Sequence, residues 1–207
     1  MSIDLNRNKL QNIFDKPLPG WDIHQEYIPV SGFPNIEYNT DKELRKGAVL
    51  ICIYEEGDGL HTVLIERTPD SSPHSGQIAF PGGKYEDFDG NQVTTALREA
   101  NEEVGIDTNK LNVLGCLSSI QIPVSGFTVL PVLAWYDGYP ELTASPDEVA
   151  SLIRVPLDEL LNSKDMVDIT ARGYQIKTAA FKAGEHIVWG ATAMVIGELK
   201  EMLNGKS

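Results

Sequence analysis

The sequence predicts an α/β fold of the mixed α+β kind in a single domain, and three observations carry that expectation. Two β-rich runs, Ala48 to Tyr54 and Thr62 to Ile65, flank a glycine- and acid-rich turn. An amphipathic segment from about Gln92 to Val104 ends on Gly105, where a helix C-cap needs a left-handed residue. A second helical pattern, from about Ala191 to Leu203, follows further strand-like stretches. At 207 residues the chain can bury one core and is short for two full domains.

Taken in order, residues 1–45 read as an arm packed on the main domain. They are polar, with a short helix expected around Leu5 to Phe14 and with Pro17, Pro19 and Pro34 as punctuation. The main domain is expected over 46–207. Its first two strands form a hairpin across Glu55 to Gly59, a loop slightly longer than the tightest class. Pro69 to Gly90 holds three prolines and four glycines and reads as one extended loop, longer than compact domains tolerate without a functional reason. After the helix at 92–104, strands are expected at Leu111 to Ile120, Thr128 to Trp135, Tyr174 to Phe181 and His186 to Trp189. The last helix places Ala193, Ile196, Leu199 and Leu203 at core spacing, with Lys200 out of keeping.

Composition narrows the function classes. Hydrophobic residues make up 42% and charged residues 23%, which suits a globular protein and not a disordered one. A formal charge of -13 disfavours nucleic acid and anionic membrane as partners, since both need clustered Lys and Arg. An anionic substrate would need that charge offset locally, which a divalent cation held by acidic side chains achieves. Cys52 and Cys116 lie in apolar runs and read as buried free thiols. Without an apolar leader or a membrane-length stretch, a cytoplasmic location is expected.

On the helix at 92–104, Val93, Ala96, Leu97, Ala100 and Val104 form one apolar stripe. Glu99 and Glu103 fall together at its margin, and Glu102 lies further round toward solvent. Two carboxylates one turn apart beside a glycine-rich loop can share a hard cation, with Glu102 completing the shell directly or through water. The plainer alternative is a solvated acidic face on which Arg98 and Glu102 make an ordinary i, i+4 pair. Mutual repulsion and a position near the negative end of the helix dipole favour the cation.

The run Gly83-(x5)-Asp89-(x8)-Arg98-Glu99-Ala100-Asn101-Glu102-Glu103-Val104-Gly105-Ile106 resembles the Nudix box, a loop-helix-loop motif whose core is R-E-U-x-E-E-x-G-U with U apolar. Two departures precede that core: Asp89 stands where the box has Glu, and one extra residue separates it from Arg98, which leaves Glu86 as an alternative stand-in. The resemblance implies the Nudix fold, a mixed β-sheet sandwiched between helices, and hydrolysis of nucleoside diphosphates linked to another moiety. It also implies that Glu99, Glu102 and Glu103 hold Mg²⁺ or Mn²⁺ and that Arg98 orients them.

Upstream, Val63-Leu64-Ile65-Glu66-Arg67-Thr68 with Gly76-Gln77-Ile78-Ala79-Phe80-Pro81-Gly82-Gly83 is similar to the signature of coenzyme A pyrophosphatases, except that Ile65 replaces Thr and Ser72 replaces an Arg. That similarity implies cleavage of coenzyme A or its thioesters, the alternatives being another nucleoside diphosphate derivative or a regulator that binds nucleotide without cleaving it. Arg67, Gly82, Gly83, Ser125 and Phe127 are the expected substrate-binding residues, although Arg67 also reads as a surface ion pair and Ser125-Gly126 as an ordinary turn. His74 reads as a solvated loop residue more readily than as a substrate contact. Glu148 is a candidate general base or further metal ligand, and equally an acid at a helix start. The expected partner is a small-molecule nucleotide, and a homodimer stays open.

Overall fold

A computed structural model describes residues 6–32, 43–69, 74 and 76–205; Ser72, Leu5, Pro34 and Pro73 lie outside them. The organising strand is β1 (Arg45–Glu56), and its unbroken apolar run is explained by burial on both faces. Ile51 and Ile53 enter one core layer, while Ala48, Leu50, Cys52 and Tyr54 enter the other. β1 pairs antiparallel with β2 (Gly59–Arg67) and parallel with β7 (Phe127–Tyr136). β3 (Ile78–Ala79) and β5 (Leu111–Cys116) extend the order to β3-β2-β1-β7-β5. β4 (Gly82–Lys84), β6 (Ile120–Ile122) and β8 (Val149–Pro156) pair with β1, β7 and β2 respectively.

Helices cover both faces of this mixed sheet, the architecture that the resemblance implies. α3 (Gln92–Val104) lays Ala96, Ala100 and Val104 on Ala48, Leu50 and Cys52. On the other face lie α1 (Arg7–Asn12), α2 (Trp21–His24), α4 (Leu157–Asn162) and α5 (Gly190–Asn204). They are joined there by a three-stranded antiparallel sheet of β9 (Asp165–Ala171), β10 (Tyr174–Ala183) and β11 (His186–Val188). Leu10, Ile13 and Tyr27 are buried in the same cluster as Ile51, Phe181 and Leu199. Among the described residues no helix is long and apolar enough to cross a membrane.

Several expectations need correction. The first hairpin turns on two residues, Gly57 and Asp58, because Glu56 and Gly59 still pair; Gly57 supplies the positive φ of 60° that a tight turn requires. The supposed loop 69–90 carries β3, β4 and a 3-10 turn at Asp87–Asp89, short elements that read as loop because glycine and proline dominate them. The strand expected at 111–120 is two strands, and the first helix ends at Asn12 before a 3-10 turn. β8, α4 and β9 were not foreseen: Val149 to Ala171 mixes charge into its apolar pattern because its strands are only half covered.

One polar cluster inside the core ties the N-terminal segment to the last helix. Glu198, fully buried on α5, receives the Ser118 hydroxyl at 2.6 Å and lies 2.7 Å from His24 Nε2 on α2. Burial alone would raise its carboxyl, but the His24 and Ser118 hydrogen bonds outweigh it and hold the pKa below the ordinary value. A depressed folded-state pKa contributes stability above the ordinary carboxylate range and loses it as pH falls through the folded value. Wild type should therefore melt above Glu198→Gln at neutral pH by the equivalent of about 1 to 3 kcal/mol. The gap should close as pH falls through and below the ordinary carboxylate range, and a gap independent of pH in thermal melts would contradict this account.

Candidate active site

The site begins with the placement of α3. Asn91 caps its start by accepting the Thr94 amide at 3.0 Å, and Gly105 ends it in the left-handed region at φ 67°. Packing of Ala96 and Ala100 on β1 aims Glu99 and Glu103 at β4, whose two glycines bring no side chains. Glu103 accepts the Gly82 amide at 2.7 Å. A Cβ on Gly83 would press against the Glu99 carboxylate, and one on Gly82 would strike the backbone of Ala48 and Val49. Close approach of backbone thus requires glycine at Gly82, and at Gly83 it is what leaves the Glu99 carboxylate its place.

Glu103 departs from expectation: it is 1% exposed, inside the core edge instead of at its margin, because β4 closes over it. Glu102 faces solvent with its side chain 54% exposed. Arg67 reaches Glu103 at 3.5 Å, so its ion pair is with the carboxylate cluster itself. Glu148 sits in the turn before β8, not at a helix start. Its carbonyl accepts the Thr68 amide, and Ser145 in the same loop donates to the Glu103 carbonyl at 2.8 Å. This pins Glu148 beside α3, where it adds repulsion at both Glu99 and Glu103.

Arg98 is the hub. Its Nε and Nη2 hold the two oxygens of Asp89 at 2.7 and 3.0 Å, and its Nη1 lies 2.8 Å from Glu99 and 2.9 Å from Glu102. Nη2 also donates to the Lys84 carbonyl. Asp89 is buried, receives the Thr95 hydroxyl and the Glu86 amide, and is held well below the usual carboxylate range chiefly by Arg98. The short acidic side chain and the extra residue of the departing motif are therefore absorbed by the 3-10 turn, and Asp89 itself braces Arg98. Glu86 caps that turn and pairs with Lys84.

Across Gly82 and Gly83 from the carboxylates lies a cavity of about 460 Å³. Arg67, Gly82, Gly83, Ser125 and Phe127 all line it, as does His74. The lining also includes residues that sequence reasoning missed: Tyr27 from the N-terminal segment, Arg45 and Lys84 at the mouth, Arg172 in the β9–β10 turn, and Trp189 with Thr192 at the start of α5. Arg45 had a sequence signal, as a cation opening an apolar run in an acidic chain. Trp189, Gly190 and Ala191 at the α5 N-terminus line the cavity, so the positive end of that helix dipole lies beside it.

Electrostatics of the carboxylates suit a hard cation. Burial, with Glu148 and Glu99 adding repulsion, outweighs the Gly82 amide and Arg67 and pushes the Glu103 carboxyl up to about 7. Burial also raises Glu99 despite the Arg98 contact. An all-oxygen donor set that is costly to ionise alone fits Mg²⁺ or Mn²⁺. Because Arg98 draws Glu99 and Glu102 while Gly82 holds Glu103, no three His, Cys, Asp or Glu side chains among the described residues already converge on one point.

A NUDIX domain model matches residues 44–175. The chain is 36% identical over 143 residues to the uncharacterized Nudix hydrolase NudL of Photorhabdus laumondii, covering 68% of this chain and 76% of that protein. It is 36% identical over 158 residues to the protein of the same description in Escherichia coli, covering 75% and 81%. The crystal structure of the M. smegmatis Nudix hydrolase RenU superposes with a TM-score of 0.56 at 18% identity over 79% of this chain and 88% of that one. A MutT/nudix family protein from Enterococcus faecalis superposes with 0.53 at 16% identity, over 98% and 81%.

The Arg98 hub can be tested by stability. Asp89→Ala leaves a mostly buried guanidinium without its bidentate partner and should cost about 2 to 4 kcal/mol, whereas Glu86→Ala, at an exposed pair, should cost under about 1 kcal/mol. Chemical denaturation of the two variants checks this, and equal losses would return Asp89 to the status of an ordinary turn residue.

Proposed function

The chain belongs to the Nudix family of pyrophosphohydrolases acting on nucleoside diphosphate derivatives, and from that premise we propose that its substrate is coenzyme A or a thioester of it. The products are phosphopantetheine and adenosine 3',5'-bisphosphate. The observation that carries this reading is the two-part cavity. Arg45, Arg67 and Lys84 stand near Gly82 and Gly83, and Val49, Ile120, Ile122, Phe80 and Met194 form an apolar wall beyond them. A ligand with several phosphates and a long, weakly polar arm matches that division.

We assign Glu99, Glu102 and Glu103 as the Mg²⁺ or Mn²⁺ ligands. Divalent cations, when bound, offset the charge that builds on phosphoryl oxygens and acidify the attacking water. Arg98 holds Glu99 and Glu102 in reach until a cation competes for them, and Asp89 keeps Arg98 from following. Gly82 fixes the Glu103 rotamer, and the bare backbone at Gly83 lets a diphosphate approach Glu99. Arg67 neutralises substrate oxygens on the cavity side. Glu148, exposed beside the cluster, receives the proton from the attacking water.

Activity is expected to need millimolar Mg²⁺ or Mn²⁺. Glu103→Gln, which keeps an acceptor for the Gly82 amide, should fold normally yet lose turnover on the order of a hundredfold or more. Full turnover of that variant in the presence of chelator would remove the metal mechanism. Coenzyme A should show a higher kcat/KM than ADP-ribose or NADH, with oxygen from labelled water appearing in one product by mass spectrometry. If ADP-ribose is preferred and Arg67→Ala changes nothing, only the diphosphate hydrolase of broader substrate range survives. Binding of every compound with turnover of none would point to a regulator.

A further inference from the structure

We infer that Arg45 is a specificity-determining residue that receives a phosphate monoester of the substrate, separate from the diphosphate that is cut. The inference rests on the proposed coenzyme A reading and identifies the group that tells that substrate from its dephosphorylated form.

Three features set Arg45 apart from Lys84 and Arg67, the cations beside Gly82 and Gly83. Lys84 is paired with Glu86 at 3.0 Å and Arg67 with Glu103 at 3.5 Å. Arg45 instead lies with its guanidinium carbon 4.1 Å from the centre of the Phe127 ring and donates Nη2 to the Ser125 carbonyl at 2.7 Å. Among the described residues it has no carboxylate within ion-pair distance, in a chain carrying a formal charge of -13. Its two neighbours hold it in place without neutralising it, so the charge is left for an anion. A guanidinium has five N–H groups, and the Ser125 carbonyl occupies one, which leaves an edge able to grip phosphate oxygens in a fork.

Register places Arg45 on the strand that runs past the expected diphosphate position. Ala48 pairs with Gly83, the residue that abuts Glu99, and Arg45 lies three residues earlier on the same strand. Three residues of extended strand span about 10 Å. The Arg45 guanidinium, lying over Phe127 and bonded to the Ser125 carbonyl, is within reach of a second phosphate on a nucleotide whose diphosphate meets Gly83. Parallel pairing of Arg45 with Phe127 fixes the platform to the sheet instead of to a loop.

The test is calorimetric titration of the full chain with adenosine 3',5'-bisphosphate and with AMP, for wild type, Arg45→Ala and Arg45→Lys, together with kcat/KM for coenzyme A and dephospho-coenzyme A. Wild type should prefer the bisphosphate, and Arg45→Ala should shrink that preference by about 10- to 100-fold, the size of a lost charge-assisted contact. Arg45→Lys should restore it only in part, since an ammonium keeps the charge but not the fork. The loss should appear in KM for coenzyme A more than in kcat. If Arg45 merely props the β6–β7 turn, both nucleotides weaken together and the ratio stays put, which overturns the inference, as does a wild type without preference. Coenzyme A turnover with an unchanged ratio in Arg45→Ala would discard the inference and keep the substrate. An Arg45-dependent preference without coenzyme A turnover would keep the inference and discard the substrate.

Discussion

The hydrogen bond from the Gly82 amide to the buried Glu103 carboxylate is the contact around which the molecule is arranged. It can form only because β4 carries no side chains toward α3 and because α3 sits flush on β1 through alanines. Any side chain at Gly82 would strike β1, and any at Gly83 would displace Glu99, so the strand, the helix and the carboxylates form one packing problem with one solution. The result is a carboxylate kept in a low-dielectric place where its charge is costly. A cost of that kind persists in a fold only when something else offsets it.

Arg98 manages the rest of that charge. A single guanidinium touches Asp89, Glu99 and Glu102, with its shortest contact to the buried one. The bidentate grip of Asp89 anchors it, so the two outer carboxylates lean on a fixed cation and not on a swinging one. Net acidity and anion binding thereby coexist: negative groups gather on the α3 side of Gly82 and Gly83, positive groups on the cavity side.

The C-terminal third turns this shared architecture into a pocket of particular shape. β10 and α5, with the N-terminal Tyr27 stacked on Phe181 at 5.5 Å, raise the wall opposite the sheet. The attachment of α5 to the N-terminal segment runs through Glu198, His24 and Ser118, three groups from distant parts of the chain. Substrate range in such a site is governed by that wall more than by the carboxylates, since the carboxylates meet only what all diphosphates share.

Much of this was legible in the residues alone. The helix at 92–104 and its C-terminal cap followed from apolar spacing and from Gly105, because helix formation there is a local matter. The motif from Arg98 to Ile106 identified the family, and the five residues expected to meet substrate all line the cavity. What the sequence could not decide was anything that depends on pairing between distant segments. Glu103 reads as a margin residue until β4 covers it; Asp89 reads as a defective Glu until the 3-10 turn brings it to Arg98. Arg45 becomes a cavity residue only through its register with Phe127, and Glu198 becomes a core acid only when His24 and Ser118 arrive. Helical period and capping are encoded within a few residues, whereas burial of a charge is set by what the rest of the chain lays over it, and that is a property of the tertiary structure.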